Sequence, residues 1–451
     1  MEDKYQFMRF VSYSKLQNWS VQYTRTGGFG YSNKYPLGRI GSFLHRSGTV
    51  VEIEDDIEYC QVTVRTNNGG VCLRGTKLGK EIGTKRQIKV SKGQYIVSKI
   101  DSRNGAFGII PDELDGAIVT NDFPVFDVDN SVILTEFLLL VTTTKQFIAF
   151  AQSCSSGTTN RRRIDIDKFL DQKIPLPSLS EQKRLLCVYN EYIEKIKNSF
   201  NIIEGLKGEI DNYILQQLSV DVKTSSLHIL PNHRYLKIAH SSSLTRWDCY
   251  HIKEEPRSKI YDNKVLSQLI VEEPMYGAAF KAGDTFTGVR YIRITDIKED
   301  GTLNENAISA QGYDEHYLLK NNDFLIARSG NTVGKTFLFE EKYGKAIFAG
   351  YLIKFTLDEK ILNPRYLLFY TKSTLFKQWI ESNKRVSAQP NINSQQYLSS
   401  PVILPPKTIQ DEMVTHIQGL YDCIQKQKND ISKYKVMALN DFEKTLFSLN
   451  E

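Results

Sequence analysis

Nothing in this 451-residue chain places cysteines at metal-ligand or redox spacing. Cys60, Cys72, Cys154, Cys187, Cys249 and Cys423 are scattered without a Cys-x-x-Cys pair, which speaks against a zinc ribbon or a thiol–disulfide motif. Spread so widely, they fit the reduced thiols of a cytosolic protein. The seven histidines are as dispersed, none beside a cysteine or carboxylate at ligand spacing, so no metal centre is expected. A membrane span is lacking too. The most apolar window, Val132 to Ala151, holds Glu136, Lys145 and the run Thr142–Thr144, and predicts a buried segment. The opening MEDKYQFMRF has neither the basic start nor the apolar stretch of a signal peptide, so the chain is expected to be cytoplasmic and soluble. Charge of one sign is also scarce. Against 52 acidic residues stand 58 basic ones, and the net +6 permits a polyanionic partner without demanding one. What is present is globular in kind, 41% hydrophobic and 24% charged. At roughly 150 residues per domain, the length suggests about three domains or two large ones.

The chain matches itself at a shift of 228 to 229 residues. Leu16 and Trp19 fall on Leu244 and Trp247, and Leu37 and Ile40 on Leu266 and Leu269. GQYIVSKIDSRNGAFG (93–108) lies on NDFLIARSGNTVGKTF (322–337), which sets Gly105 on Gly334. IDIDKFL (164–170) lies on INSQQYL (392–398), and IPLPSLSEQ (174–182) on VILPPKTIQ (402–410). An ordered series at nearly constant offset means two equivalent halves, roughly 1–220 and 221–451.

Each half begins with short apolar runs bounded by glycine and asparagine turns, such as EYCQVTVRTNNGG and AIVTNDFPVFDV, which read as β-strands. A helical stretch follows, TEFLLLVTTTKQFIAF in one half and PRYLLFYTKSTLFKQWI in the other. Each half then ends in a long proline-free segment with heptad spacing. Apolar residues recur at Leu185, Tyr189, Tyr192, Ile196, Ile203, Leu206, Ile210 and Tyr213. In the second half they recur at Met413, Ile417, Leu420, Ile424, Ile431, Tyr434 and Ala438. Ser199 and Gln427 put a polar residue at the same seam position in both copies, a device that fixes register. Ser178 with Glu181, and Thr408 with Asp411, are spaced as capping boxes at the helix starts. Two helices packed along each other are the reading this spacing favours over two helices each packed on its own domain.

Candidate chemistry is sparse. SGNTVGKT (329–336) departs from a phosphate-binding loop at its first glycine, and TFLFEEKYG after it reads as strand and turn where a helix N-terminus is needed. NPRY (363–366) differs from the Asn-Pro-Pro-Tyr motif of amino-methyltransferases and more simply opens a helix with Pro364 in its first turn. No nucleophile constellation stands out. What remains is basic and polar residues on predicted turns, suited to phosphates and base edges. In the first half these are Arg65, Arg74, Lys85, Arg86, Lys99, Arg103, Asn104, Arg161, Arg162 and Arg163. In the second they are Arg290, Arg293, Arg328, Asn331, Thr332, Lys335, Lys384, Arg385 and Gln389.

Taken together, IPLPSLSEQKRL (174–185), its copy VILPPKTIQDEM (402–413), QPNINSQQYL (389–398), YIRITDIKEDG (291–301) and DFLIARSGNTVGKT (323–336) resemble the specificity subunit of type I restriction–modification systems across nearly the whole chain. The resemblance implies an α+β fold of two tandem pseudo-symmetric halves. Each would be a mixed α/β target-recognition domain followed by a long helix, with the two helices in an antiparallel coiled coil. The implied segments are 1–175 and 221–403 for the recognition domains, and 176–220 and 404–451 for the helical regions. It further implies double-stranded DNA as ligand, read as two different half-sites. The chain itself would have no catalysis and no cofactor. Two methyltransferase subunits would use S-adenosylmethionine, and two restriction subunits ATP and Mg²⁺. A helix of about 34 residues is roughly 50 Å long, enough to act as a spacer between half-sites. The alternative is a coiled-coil interaction scaffold without DNA specificity, whose basic loops are solvated decoration.

Overall fold

The structure, a computed structural model, describes residues 31–153, 155–156, 163–220, 258–384 and 390–447. The matches at Leu16, Trp19, Leu244 and Trp247, and the candidates Arg161, Arg162, Arg385 and Gln389, lie outside the described residues. Two compact units form, Met1–Ser199 with Asn429–Glu451 (unit 1) and Phe200–Lys428 (unit 2).

Unit 1 opens with β1 (Leu37–Arg39), β2 (Leu44–Ser47), β3 (Thr49–Glu52), β4 (Glu58–Val64) and β5 (Val71–Leu78). Strands β6 (Arg86–Lys89), β7 (Tyr95–Val97), β8 (Phe107–Ile109), β9 (Ile118–Val119) and β10 (Val125–Val128) follow. Then come α1 (Thr135–Thr142), α2 (Lys145–Ser153), β11 (Ser155–Ser156), β12 (Arg163–Ile164), α3 (Ile166–Asp171) and β13 (Lys173–Pro175). The long α4 (Leu179–Gln217) starts in unit 1 and ends in unit 2. Unit 2 continues with β14 (Asn263–Val265), β15 (Met275–Tyr276), β16 (Arg290–Ile292), β17 (Phe324–Ala327), β18 (Thr336–Leu338), β19 (Ala346–Phe348) and β20 (Leu352–Phe355). Helices α5 (Pro364–Tyr370), α6 (Thr374–Asn383) and α7 (Ser394–Leu398), strand β21 (Pro401–Ile403) and the long α8 (Lys407–Leu446) complete the chain.

The duplication is visible strand by strand. Unit 1 has a four-stranded sheet in the order β2-β10-β7-β8, and unit 2 has its copy, β15-β20-β17-β18. All pairings in both are antiparallel. A second match is β1 with β13 and β14 with β21. In the β7–β8 and β17–β18 connections, Gly105 and Gly334 take φ of +76° and +85°, the left-handed region where a Cβ is penalised. Between β2 and β7, and again between β8 and β10, the halves part company. Unit 1 builds a five-stranded sheet, β3-β6-β9-β4-β5, whereas unit 2 has only the parallel pair β16-β19 and irregular chain. The same frame thus carries two different inserts.

Each helical stretch expected after the strands is two helices, not one. The hydroxyls of Thr142, Thr143 and Thr144 donate to the carbonyls of Leu139, Leu140 and Val141, and those of Thr371 and Ser373 to Leu368 and Tyr370. Such back-bonding competes with the helix ladder and ends α1 and α5 there. Asn363 caps α5 with Pro364 in its first turn, as the NPRY reading expects. Val132 to Ala151 supplies Ile133, Phe137, Leu138 and Phe147 to the unit 1 core. No helix among the described residues is long and apolar enough to cross a membrane.

The heptad stripe is buried. Leu185, Ile196, Ile203, Ile210, Met413, Ile417, Ile424, Ile431 and Ala438 are inaccessible, and Tyr192, Leu206, Leu420 and Tyr434 half-buried. In unit 1, Leu185 and Phe442 share one core, and the Tyr192 and Tyr434 rings lie 6.4 Å apart, so α4 and α8 run antiparallel. In unit 2 the Tyr213 and His416 rings are 4.1 Å apart. Both helices, at 39 and 40 residues, exceed the expected length.

The capping boxes are a correction. Ser178 accepts from the Glu181 N–H at 3.4 Å, but the Glu181 carboxylate turns to Arg184 and Tyr35, which hold its pKa down at about 2. Helix α8 already begins at Lys407, before Thr408, and Asp411 accepts from Asn363 Nδ2 at 2.6 Å. The lock at each helix start is a buried glutamine. Gln182 Oε1 accepts from Leu134 N–H at 2.8 Å, while its Nε2 donates to the carbonyls of Val132 and Pro177 at 3.1 and 2.9 Å. Gln410 repeats this with Asn363 N–H at 2.7 Å and the carbonyls of Ile361 and Pro405 at 2.9 and 2.8 Å. Both glutamines are fully buried.

A second contact crosses between the halves of the sequence. Glu443 of α8 accepts from the Lys145 N–H that opens α2, and Asp211 of α4 accepts from the Thr374 N–H that opens α6, at 3.0 and 2.7 Å. A carboxylate at a helix N-terminus satisfies an orphan donor and favours the helix dipole. Each small helix is therefore capped by the long helix from the other half of the chain. In unit 2, Lys428 of α8 also donates to Asp300 at 2.8 Å.

Gln410→Ala leaves one amide and two carbonyls buried without partners, so we expect a loss of about 3 kcal/mol in urea unfolding. Gln182→Ala should match it, and a loss under about 1 kcal/mol for both would refute the clasp. Acid should act through Asp300. Burial raises its pKa, but the hydrogen bonds from Lys428 and Thr302 outweigh that and lower it to about 2. Its stabilisation is thus present above about pH 4 and lost as the pH falls to 2, on the order of 1–2 kcal/mol. Lys428→Met should flatten this limb of the stability–pH curve, and parallel curves for parent and variant would contradict the assignment.

Candidate nucleic-acid interface

At one end of each four-stranded sheet the backbone forms the same frame. In unit 1, Lys99 leaves β7, its N–H donating to Asp122 O at 2.8 Å and its carbonyl accepting from Ile164 N–H at 2.8 Å. In unit 2, Arg328 leaves β17, its N–H donating to Tyr351 O at 3.0 Å and its carbonyl accepting from Ile392 N–H at 2.9 Å. Three positions are thereby held alike, Lys99, Asp122 and Arg163 in one unit and Arg328, Tyr351 and Asn391 in the other.

The side chains on the frame differ at every position. Arg163 forks onto Asp122, Nε to Oδ1 at 3.1 Å and Nη2 to Oδ2 at 3.3 Å, an exposed pair. In unit 2 the Arg328 guanidinium lies 4.8 Å from the centroid of the Tyr276 ring. Tyr276 is itself tied to Ser394, donating to its Oγ at 3.0 Å and accepting from its N–H at 3.1 Å. Tyr351 is 62% exposed, a large aromatic face left in solvent. Arg328 Nε and Asn391 Oδ1 are shielded and have no hydrogen-bond partner among the described residues.

Unit 1 gathers a second group around this end. Asn67 and Asn68 turn the β4–β5 hairpin with positive φ, and their N–H groups donate to the carbonyls of Asn104 and Gly105 at 2.7 and 3.2 Å. The hairpin tip, with exposed Arg65, is thereby pinned to the loop that carries Arg103 and exposed Asn104. Arg74 is exposed on β5, an edge of the five-stranded sheet. Arg86 is exposed on β6, separated from it by β9 and β4. Lys85 is held by Asp55 at 2.5 Å and by Gly79 O at 2.8 Å.

Several second-half candidates turn inward instead. Arg290 is buried in β16 and donates to Asn304 O. Arg293 forks onto Asp296 at 3.0 and 2.8 Å, and this hydrogen bonding raises its pKa further. Lys335 reaches the Ile294 carbonyl at 3.5 Å, and Lys384 pairs with Glu381 at 2.6 Å. Arg290 is thereby placed in an internal role, whereas Arg293, Lys335 and Lys384 stay partly exposed beside these partners. Asn331 is exposed, and Thr332 donates to Ser329 O at 3.3 Å. SGNTVGKT is the 3₁₀ turn Gly330–Thr332 leading into β18, so no helix N-terminus stands where a phosphate grip needs one.

Asp122, Tyr351, Asn391 and Tyr276 were missed in the sequence. The signal was there, because the shift of 229 sets Asp122 on Tyr351 and that of 228 sets Arg163 on Asn391.

Residues 47–214 and 277–433 match the family described as type I restriction modification DNA specificity domain. The type I restriction enzyme StySPI specificity subunit of Salmonella potsdam is 23% identical over 267 residues, covering 57% of this chain and 53% of that one. The EcoEI specificity subunit of Escherichia coli is 24% identical over 147 residues, 32% of this chain and 24% of that one. The chain thus spans about half the length, or less, of the curated relatives it matches. A solved chain from work on complex assembly and conformational transition of the type I R-M system shares the fold, with a TM-score of 0.51 at 15% identity over 92% of this chain and 98% of that one.

Asp122→Ala should free Arg163 and remove a negative charge from this face. We expect affinity for duplex DNA of arbitrary sequence to rise several-fold at low salt, with stability within about 1 kcal/mol of the parent, since exposed pairs contribute little. Unchanged affinity would remove this face from the DNA path.

Proposed function

The chain belongs to the family of type I restriction modification DNA specificity domains, and we propose that it is the recognition subunit of such a system, each unit reading one part of an asymmetric bipartite site. The observation that carries this reading is the repeated frame at the sheet end, identical in backbone hydrogen bonding and different in all three side chains. Two copies of one scaffold with different side chains on it suit two different half-sites. Arg65, Asn104 and Arg163 offer cationic and amide groups to phosphates and base edges in unit 1, and Arg328, Asn331 and Asn391 do so in unit 2. Helices of 39 and 40 residues, about 58 Å or more at 1.5 Å per residue, suit a spacer that fixes the unread gap.

In this reading the chain has no catalysis and binds no cofactor. Methyl transfer falls to two methyltransferase subunits that use S-adenosylmethionine, docked on the helical region. Cleavage falls to two restriction subunits that use ATP and Mg²⁺. The assembly works in the cytoplasm.

The test is to co-express the chain with a cognate type I methyltransferase subunit and map adenine methylation across the host genome. A bipartite motif with a fixed gap, absent when this chain is omitted, is the expected result. Removing one heptad from each long helix should shorten the gap and leave both half-sites unchanged. A folded, bound partner that leaves the genome unmethylated would return the chain to the scaffold reading.

A further inference from the structure

We propose that Arg328, Tyr351 and Asn391 are the specificity-determining residues of unit 2, and that they take the edge of one base presenting an amine donor beside an acceptor, as adenine does in the major groove. The inference rests on the recognition reading and deepens it by naming the residues and the base chemistry.

Three observations converge on this spot. Arg328 Nε, a donor, and Asn391 Oδ1, an acceptor, are both shielded without a partner among the described residues. Leaving a polar group so costs about 1–3 kcal/mol, and such groups in a native fold call for an explanation such as an absent ligand. Donor and acceptor sit on adjoining backbone segments of the frame, since Ser329 and Asn391 form a bridge and Ile392 N–H bonds Arg328 O. A complementary ligand edge must offer the reverse, an acceptor for Nε and a donor for Oδ1. Adenine N7 and N6 provide that pair, and asparagine is a recognised partner of this edge.

The surroundings are built for the task. The guanidinium is stacked on Tyr276, whose hydroxyl is fixed by Ser394, so its fork is oriented before any ligand arrives. Stacked arginine loses less freedom on binding than a free one. Tyr351, whose carbonyl takes the Arg328 N–H, leaves its ring 62% exposed, an aromatic face on which a base can lie. Unit 1 lacks the arrangement. There Asp122 replaces the tyrosine and Arg163 forks onto it, so the residues at the positions of Tyr351 and Asn391 pair with each other. The two half-sites differ in base content for that reason.

The full chain, assembled with its methyltransferase subunit, would be bound to a duplex library randomised across both half-sites, and the retained DNA sequenced. In Asn391→Ala and, separately, Tyr351→Ala, preference at one or two adjacent positions of one half-site should fall about ten-fold. The other half-site should keep its preference, and the slope of affinity against salt should stay unchanged, because neither residue neutralises a phosphate. Tyr351 is a solvent-facing side chain, so its variant keeps the test sound if Asn391→Ala disturbs the fold. A motif selected by the parent and retained in full by both variants would overturn this inference alone. Weakening of both half-sites together would also overturn it. A parent that selects no motif would overturn the recognition reading and this inference with it.

Discussion

Two fully buried glutamines, Gln182 and Gln410, hold the architecture to one geometry. A primary amide sealed from water must satisfy both its oxygen and its nitrogen, and each of these does so against three backbone groups. The partners are the residue that caps the following small helix, the loop before it, and the proline carbonyl that precedes the long helix. No rotation of the long helix about its axis preserves all three bonds. With the first turn of α4 and of α8 fixed in this way, the heptad stripe that follows has only one direction in which to face.

The rest of each unit depends on that direction. The stripe of one long helix meets the other, and each long helix then reaches the small-helix pair of the opposite half of the sequence. Glu443 closes the open end of α2 and Asp211 the open end of α6. A cap of this sort demands ångström-level placement, since the carboxylate must lie within hydrogen-bond distance of one N–H. Sequence-distant parts are thereby locked into each compact unit, and among the described residues Cys60, Cys72, Cys187 and Cys423 are free.

Much of this was legible because it obeys local rules. The heptad positions from Leu185 to Ile210 and from Met413 to Tyr434 are apolar every three or four residues except at Ser199 and Gln427, and the structure buries or half-buries the apolar ones. The constant offset revealed the duplication, and the two four-stranded sheets repeat it in order and direction. What escaped was set by tertiary partners. Thr408 with Asp411 has capping-box spacing, but Asn363 claims the carboxylate and the helix starts earlier. Arg290 and Arg293 have the composition of a nucleic-acid contact, yet Asn304 and Asp296 take their donors. Gln182 and Gln410 stood in plain view in matching motifs, but nothing about a glutamine announces burial, which is rare for that side chain.

The division between frame and side chains is what would let one fold serve the two different readings proposed for it. At Lys99 and Arg328 the chain is held by main-chain bonds alone, N–H to the carbonyl of residue 122 or 351, and carbonyl to the N–H of residue 164 or 392. Main-chain bonds are indifferent to side-chain identity. Substitution at 99, 122 or 163, and at 328, 351 or 391, therefore changes the chemistry presented without loosening the sheet end that presents it. The segments between β2 and β7 and between β8 and β10 go further, since there even the strands differ between units while the flanking sheet does not. Stability resides in the glutamine clasps, the helix stripe and the four-stranded sheets, all duplicated. At the sheet end the main-chain frame is the same in both units while the side chains on it differ, and that is the physical condition under which a recognition protein could change what it reads without losing its fold.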